Sequence, residues 1–194
     1  MSGSITVGGK ILASHDNVSG KLSMSGDVVF PAGHVIKIKS ATFRGTDSND
    51  TEAYVVIGSG DSDALTITTD VPASNTSKFL LMVSIGAVND SIGGSIAFRL
   101  NRNGVFITES GSNANTQSRE AASFRLGSDD NNHATGIAFN FLDSPSSGAA
   151  LTYSVSFQNQ DTAVATINKT SNSTNTNESY GTYTASTLIV MEIA

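Results

Sequence analysis

The chain has no cysteine and no tryptophan. Without cysteine there are no disulfide staples and no thiolate metal sites. Without tryptophan the best aromatic platform for stacking a sugar is missing. Charged residues make up only 14% of the sequence and leave a net charge of -6. That balance excludes the basic footprint expected of a nucleic-acid or anionic-membrane binder. No apolar run approaches the ~20 residues a membrane-spanning helix needs. The first ten residues, MSGSITVGGK, lack a charged segment followed by a long apolar stretch, so a Sec-exported product is not expected.

What the sequence does hold is short apolar stretches of period two, cut by Gly, Ser, Asn and Asp. The clearest lies at residues 136–157. Ile137, Phe139 and Phe141 alternate with Ala138, Asn140 and Leu142; Leu151, Tyr153, Val155 and Phe157 alternate with Thr152, Ser154 and Ser156. Alternation of this kind puts one set of side chains on one face of a sheet. A helix needs apolar spacings of three and four, which are absent here. Between the two arms stands DSPSSG, with a proline to fix one dihedral and a glycine to supply positive φ. The stretch predicts a hairpin with an aromatic face. Residues 78–88 (KFLLMVSIGAV) form the most apolar segment, and 79–83 is apolar on both faces, as a doubly covered strand would be. Further strands are predicted at 34–44, 52–57, 64–69, 95–102, 105–108, 121–126, 163–168 and 182–193. Asn103-Gly104 marks a two-residue type I′ turn. Residues 45–51, 109–120 and 169–181 are polar loops.

Many short strands without a helical segment predict an all-β fold. An antiparallel β-sandwich of jelly-roll type is the version expected, as one domain over residues 31–194. Residues 1–30 contain only small apolar pieces and are read as a short N-terminal arm, one that either packs on the main domain or docks on another chain and orders there.

The candidate chemical sites are few. His15, His34 and His133 are the only histidines, and no G-x-S-x-G elbow accompanies them. A serine hydrolase is therefore disfavoured and no catalytic residue is assigned. Acidic clusters at Asp47–Asp50, Asp61–Asp63 and residues 129–133 are rich in oxygen but match no EF-hand spacing. Asp and Asn also populate turns for conformational reasons, so no metal and no cofactor is expected. Asn-x-Ser/Thr triplets at Asn17, Asn49, Asn75, Asn89, Asn168, Asn172 and Asn177 follow from composition and are not read as glycosylated. Glu192, in an otherwise apolar last strand, is expected either to face solvent at an edge or to pair with Arg99, Arg119 or Arg125.

Several phrases resemble a domain that recurs in the structural fibre proteins of tailed bacteriophages, marine ones in particular. They are FPAGHVI at 30–36, TSKFLLMV at 76–83, RNG at 102–104, NFLDSP at 140–145 and STLIVMEIA at 186–194, in the expected order. The resemblance implies a non-enzymatic β knob displayed on a virion, commonly as a homotrimer, with the polar loops as candidates for host contact. It implies attachment to other virion proteins through the N-terminal arm. This chain has no extended stalk before the knob, so a tail fibre and a capsid decoration (head fibre or cement) protein both fit. A carbohydrate-binding β-sandwich module, using Tyr180 and Tyr183 beside a polar loop, is the remaining alternative.

Overall fold

The structure is a computed structural model that describes residues 3–7, 10–15, 22–24, 32–89, 95–107, 122–125, 134–159, 164–169 and 183–194. Fifteen strands and no helix occur among these residues. The first three, β1 (Gly3–Val7), β2 (Lys10–His15) and β3 (Leu22–Met24), form an antiparallel meander. Among the described residues its strands pair only with one another and form a small sheet of their own.

The remaining strands build two antiparallel sheets. The first centres on β8 (Lys78–Asn89) and β15 (Ser186–Ile193). Outside them lie β12 (Ala134–Asp143) against β8 and β4 (Val35–Phe43) against β15. Where β15 leaves the edge of β8, β14 (Ala165–Ile167) takes its place and carries β5 (Asp47–Asn49) with it. Gly86 sits at that changeover. A Cβ there would lie 2.5 Å from Thr184 Oγ1 and 2.6 Å from the Ala185 carbonyl, so only glycine lets the crossing backbone approach. The second sheet pairs β9 (Ser95–Arg102) with β13 (Thr152–Asn159) at its centre. β10 (Val105–Phe106) and β11 (Ala122–Arg125) flank β9, while β6 (Val55–Val56) and β7 (Thr66–Thr68) flank β13.

The chain passes back and forth between the sheets. The strand orders β4-β15-β8-β12 and β7/β6-β13-β9-β10/β11 are those of a jelly roll, as the strand pattern predicts. The core lies between the layers. Phe79, Leu81, Val83 and Ile85 of β8 point inward with Leu188 and Val190 of β15. Ile96, Phe98 and Leu100 of β9 meet them with Tyr153, Val155 and Phe157 of β13. Each such side chain stabilises the fold by roughly 1.5–3 kcal/mol when fully buried. Ring contacts cross or run along the core at Phe79–Tyr153, Phe98–Phe139 and Phe98–Phe157, with centroids 5.7, 6.2 and 6.5 Å apart.

Four sequence expectations are corrected. The stretch 136–157 is not a hairpin: β12 pairs with β8 in one sheet and β13 with β9 in the other. Its two aromatic faces line the same core from opposite layers, and DSPSSG carries the chain across. A period-two pattern reports which face is buried, not which strand lies alongside. The polar loop at 45–51 contains β5, whose Asn49 is buried. The strand expected at 52–57 shortens to two residues. Finally, β8 is not covered on both faces within one chain, because Leu80 is only half-buried and Met82 is 41% exposed. The Asn103-Gly104 turn stands as expected, with φ values of 52° and 77° between the paired Arg102 and Val105.

The facing of β8 is testable by truncation on its two sides. Leu81→Ala is expected to lower the unfolding free energy by about 2–5 kcal/mol. Met82→Ala, facing outward one residue on and 41% exposed in the single chain, is expected to cost less than Leu81→Ala. Urea melts of the two variants measure the difference.

Candidate functional site

The interior polar groups come first, because a catalytic centre would use groups of this kind. Asp143 ends β12 with its carboxylate buried. Arg102 Nη1, from the end of β9, donates to both carboxylate oxygens at 2.7 and 2.8 Å, and the Tyr153 hydroxyl of β13 donates to Oδ2 at 2.8 Å. Arg102 and Tyr153 belong to one sheet and Asp143 to the other, so the trio fastens the layers at one end of the sandwich. Burial, then the hydrogen bond to Asp143 and its charge, push the Tyr153 phenol well above its ordinary value of 10.0.

Glu192 is buried in β15, a central strand rather than an edge. Its Oε1 accepts from the Ala73 amide at 2.6 Å and from the Ser77 hydroxyl at 3.0 Å. The expected arginine partner is thereby corrected to a loop amide and a hydroxyl. Arg119 lies outside the described residues, as does the side chain of Arg125. Arg99 is on the other sheet, its guanidinium 3.7 Å from the Tyr54 ring centroid and 4.6 Å from that of Phe106. The two donors give the carboxylate what burial removes and hold the loop between β7 and β8 against the sheet.

Asn168 adopts φ 64° and is fully buried. Its Nδ2 donates to the carbonyls of Phe43 and Gly45, both at 3.0 Å, and its Oδ1 accepts from Ser186 Oγ at 2.6 Å. Asn49 likewise donates to the carbonyls of Ala53 and Phe157, at 2.8 and 3.2 Å. Two of the glycosylation triplets thus begin on buried structural asparagines.

The remaining candidates do not converge. His15 lies in β2 of the small meander, while His34 precedes β4, where its carbonyl accepts from the Ala194 amide. His133 and the cluster at 129–133 lie outside the described residues, as do loop 109–120, Tyr180 and all of loop 169–181 except Lys169. Asp47 accepts from the amides of Gly58 and Ser48, at 2.7 and 2.8 Å, and Asp63 from the Arg44 amide at 3.1 Å. These carboxylates shape turns. Among the described residues no group of three or more His, Asp or Glu is placed to hold a metal ion. Asp70, on the surface, accepts from Lys39 Nζ at 2.9 Å; that bond and the charges of Lys39 and Lys37 hold its carboxyl below the ordinary value.

The two outer faces of the sandwich differ in kind. On the β13 side the outer face is mixed and partly closed: Ser154 and Ser156 are buried, Asn101 Nδ2 donates to Ser156 Oγ at 2.9 Å, the Arg99 guanidinium lies over the Phe106 ring, and the hydroxyls of Thr68 and Thr152 lie 3.0 Å apart. On the β8 side the register aligns Ile38, Met191, Leu80 and Leu142 in one row across all four strands. Ile38 and Leu142, its two ends, are 61% and 48% exposed. The next row is Ser40, Ile189, Met82 and Asn140, followed by Thr42, Thr187, Ser84 and Ala138. These smaller residues leave a hollow of about 250 Å³ lined by Met82, Ser84, Ala138, Asn140, Thr187 and Ile189, among others. The sequence shows this surface as the second apolar parity of 79–83. The Arg102–Asp143–Tyr153 trio gave no such signal, because Arg102 and Asp143 stand beside turns and Tyr153 reads as one more apolar residue of an alternating strand.

No family model and no curated protein matches the chain. Among solved structures, it is similar to a chain in the crystal structure of dimeric latent PorU from Porphyromonas gingivalis, at 10% identity and a TM-score of 0.34. That likeness covers 87% of this chain and 14% of the other. It is also similar to a chain in the structure of infectious bursal disease virus, Gx strain, at 8% identity and a TM-score of 0.36, covering 97% of this chain and 48% of the other. The chain thus spans less than half the length of either, and at these scores neither likeness bears on its function.

The buried trio yields a prediction in alkali. In the unfolded chain a phenol ionises near pH 10, whereas folded Tyr153 keeps its proton to higher pH. Its contribution to stability is therefore complete below about pH 10 and declines as the pH rises beyond it. Tyr153→Phe should cost about 1.5–3 kcal/mol at neutral pH through the lost hydrogen bond to a buried carboxylate. It should also show a shallower loss of stability between about pH 10 and 11.5 than the parent chain. Urea melts at a series of pH values give both quantities, and parallel pH profiles would count against the assignment.

Proposed function

We propose that this chain is a structural protein of a bacteriophage virion, a β knob displayed on the particle that works by contact rather than by catalysis. In this reading residues 1–30 dock on other virion proteins, the knob assembles as a homotrimer, and its exposed loops meet the host surface. The observation that carries it is the ordered succession of fibre-like phrases from FPAGHVI at 30–36 to STLIVMEIA at 186–194. Those phrases fall on working parts of the sandwich. TSKFLLMV supplies the loop hydroxyl that meets Glu192 and the first half of β8; NFLDSP supplies the end of β12 and Asp143; STLIVMEIA is β15 with Glu192. Further support comes from the interior polar groups, since Asp143, Glu192, Asn49 and Asn168 are each engaged in holding strands and loops in place.

A contact role asks for a rigid frame and accessible surface, and a jelly roll supplies both. Tail fibre and capsid decoration are both served by such a knob. One observation favours carbohydrate as a contact: Tyr183, beside the 169–181 loop, is 69% exposed, and an exposed ring offers a face to a sugar.

Two measurements test the reading. Mass spectrometry of purified particles should find the protein at stoichiometric abundance; its absence from them would sink the proposal. A chain lacking residues 1–30 should keep its β-type circular dichroism but fail to join particles. A truncated chain that still joins them would remove the arm from the proposal. On a glycan array, any binding that survives Tyr183→Ala would dismiss that ring as the sugar platform.

A further inference from the structure

The outer face of the β8 sheet is unusual for an antiparallel sandwich. Such sheets commonly put one face in the core and a polar face in water. The β8 sheet instead presents Val35 and Ile38 from β4, Ile189, Met191 and Ile193 from β15, Leu80 and Met82 from β8, and Leu142 from β12. An outward apolar surface contiguous over four strands marks an interaction site. We propose that this face is the contact surface between copies of the chain, with the row of Ile38, Met191, Leu80 and Leu142 of one copy seated against the hollow of the next.

Three observations select a second copy as the occupant. The first is shape. The apolar row and the hollow lined by Ser84, Ala138 and Thr187 lie side by side on the same face. A face carrying both a ridge and a recess can serve as both halves of a contact between identical subunits.

The second is charge. The chain carries a net -6, so two copies repel unless the meeting surfaces are free of carboxylates. Among the described residues the outward positions of β4, β8, β12 and β15 hold one charged side chain, Lys78, at the margin. Depletion of charge at the centre is the compositional mark of a protein–protein interface.

The third is area. Four strands about 4.8 Å apart and about 27 Å long give a footprint of about 500 Å². Two such faces reach the ~1,000 Å² that separates specific interfaces from incidental ones. The homotrimer of the proposed function names a count, whereas the surface named here serves two copies about a two-fold axis or three around a ring. It therefore stands or falls apart from any attachment to a particle.

Light scattering of the full chain should give two or three times the 20.0 kDa subunit mass. The double variant Ile38→Glu, Leu142→Glu should fall to a single subunit mass with unchanged circular dichroism, because both side chains are exposed in the isolated chain. Thr66→Glu, exposed on the opposite sheet, should leave the assembly intact. A parent chain that is monomeric at every concentration overturns the proposal, and so does an assembly that survives the double variant.

Should the double variant misfold, the absence of cysteine offers a second route. Ser84→Cys places the chain's one thiol on the rim of the hollow. Its alkylation should slow at least tenfold as concentration rises through the assembly range. Labelling at one rate throughout refutes the contact.

Discussion

Burial of alternate side chains of β8 is the constraint on which the rest of the sandwich depends. Phe79, Leu81, Val83 and Ile85 leave water only if a second sheet closes over them, and β9 and β13 supply it. Because strand side chains alternate strictly, a slip of one residue would turn these four outward. The register of β12 and β15 on either side of β8 is held by the same demand: Phe139 and Phe141, and Leu188 and Val190, share the inward face. The jelly-roll order follows from a chain that passes from layer to layer and completes the core from both sides.

Polar groups inside this core act as fasteners, each answering a local shortage of hydrogen-bond partners. Asp143 joins β12 to β9 and β13 across the layers. Glu192 draws the loop before β8 onto the sheet, and Asn168 serves the last carbonyl of β4 and that of Gly45, just beyond it. Such groups cost free energy when left unmatched in a medium of low polarity, so their satisfaction narrows the chain to one arrangement. They also explain how acidic residues in a chain of net negative charge come to lie inside it: each meets an amide, a hydroxyl or a guanidinium.

The two outer faces give the molecule its polarity of purpose. One mixes hydroxyls and amides with rings and buried serines; the other continues the aliphatic character of the core to the surface. A rigid body with one aliphatic outer face is suited to assembly, with its loops left free to meet other molecules.

The sequence by itself determined the fold class and most strand positions. Residues 78–88 and 95–102, the Asn103-Gly104 turn and the inward aromatics at 136–157 were all legible, because period two and turn chemistry are local properties. It also marked the surplus of apolar residues at 79–83, though not that one set would remain outside. Only the tertiary structure decided which strands are neighbours. It separated β12 from β13 into different sheets, put Asn49 of a polar stretch into the core, and gave Glu192 a loop amide where an arginine was expected. Those outcomes depend on pairing between residues far apart in the chain, and a one-dimensional pattern carries each residue's preference for burial but not the identity of the group that will satisfy it.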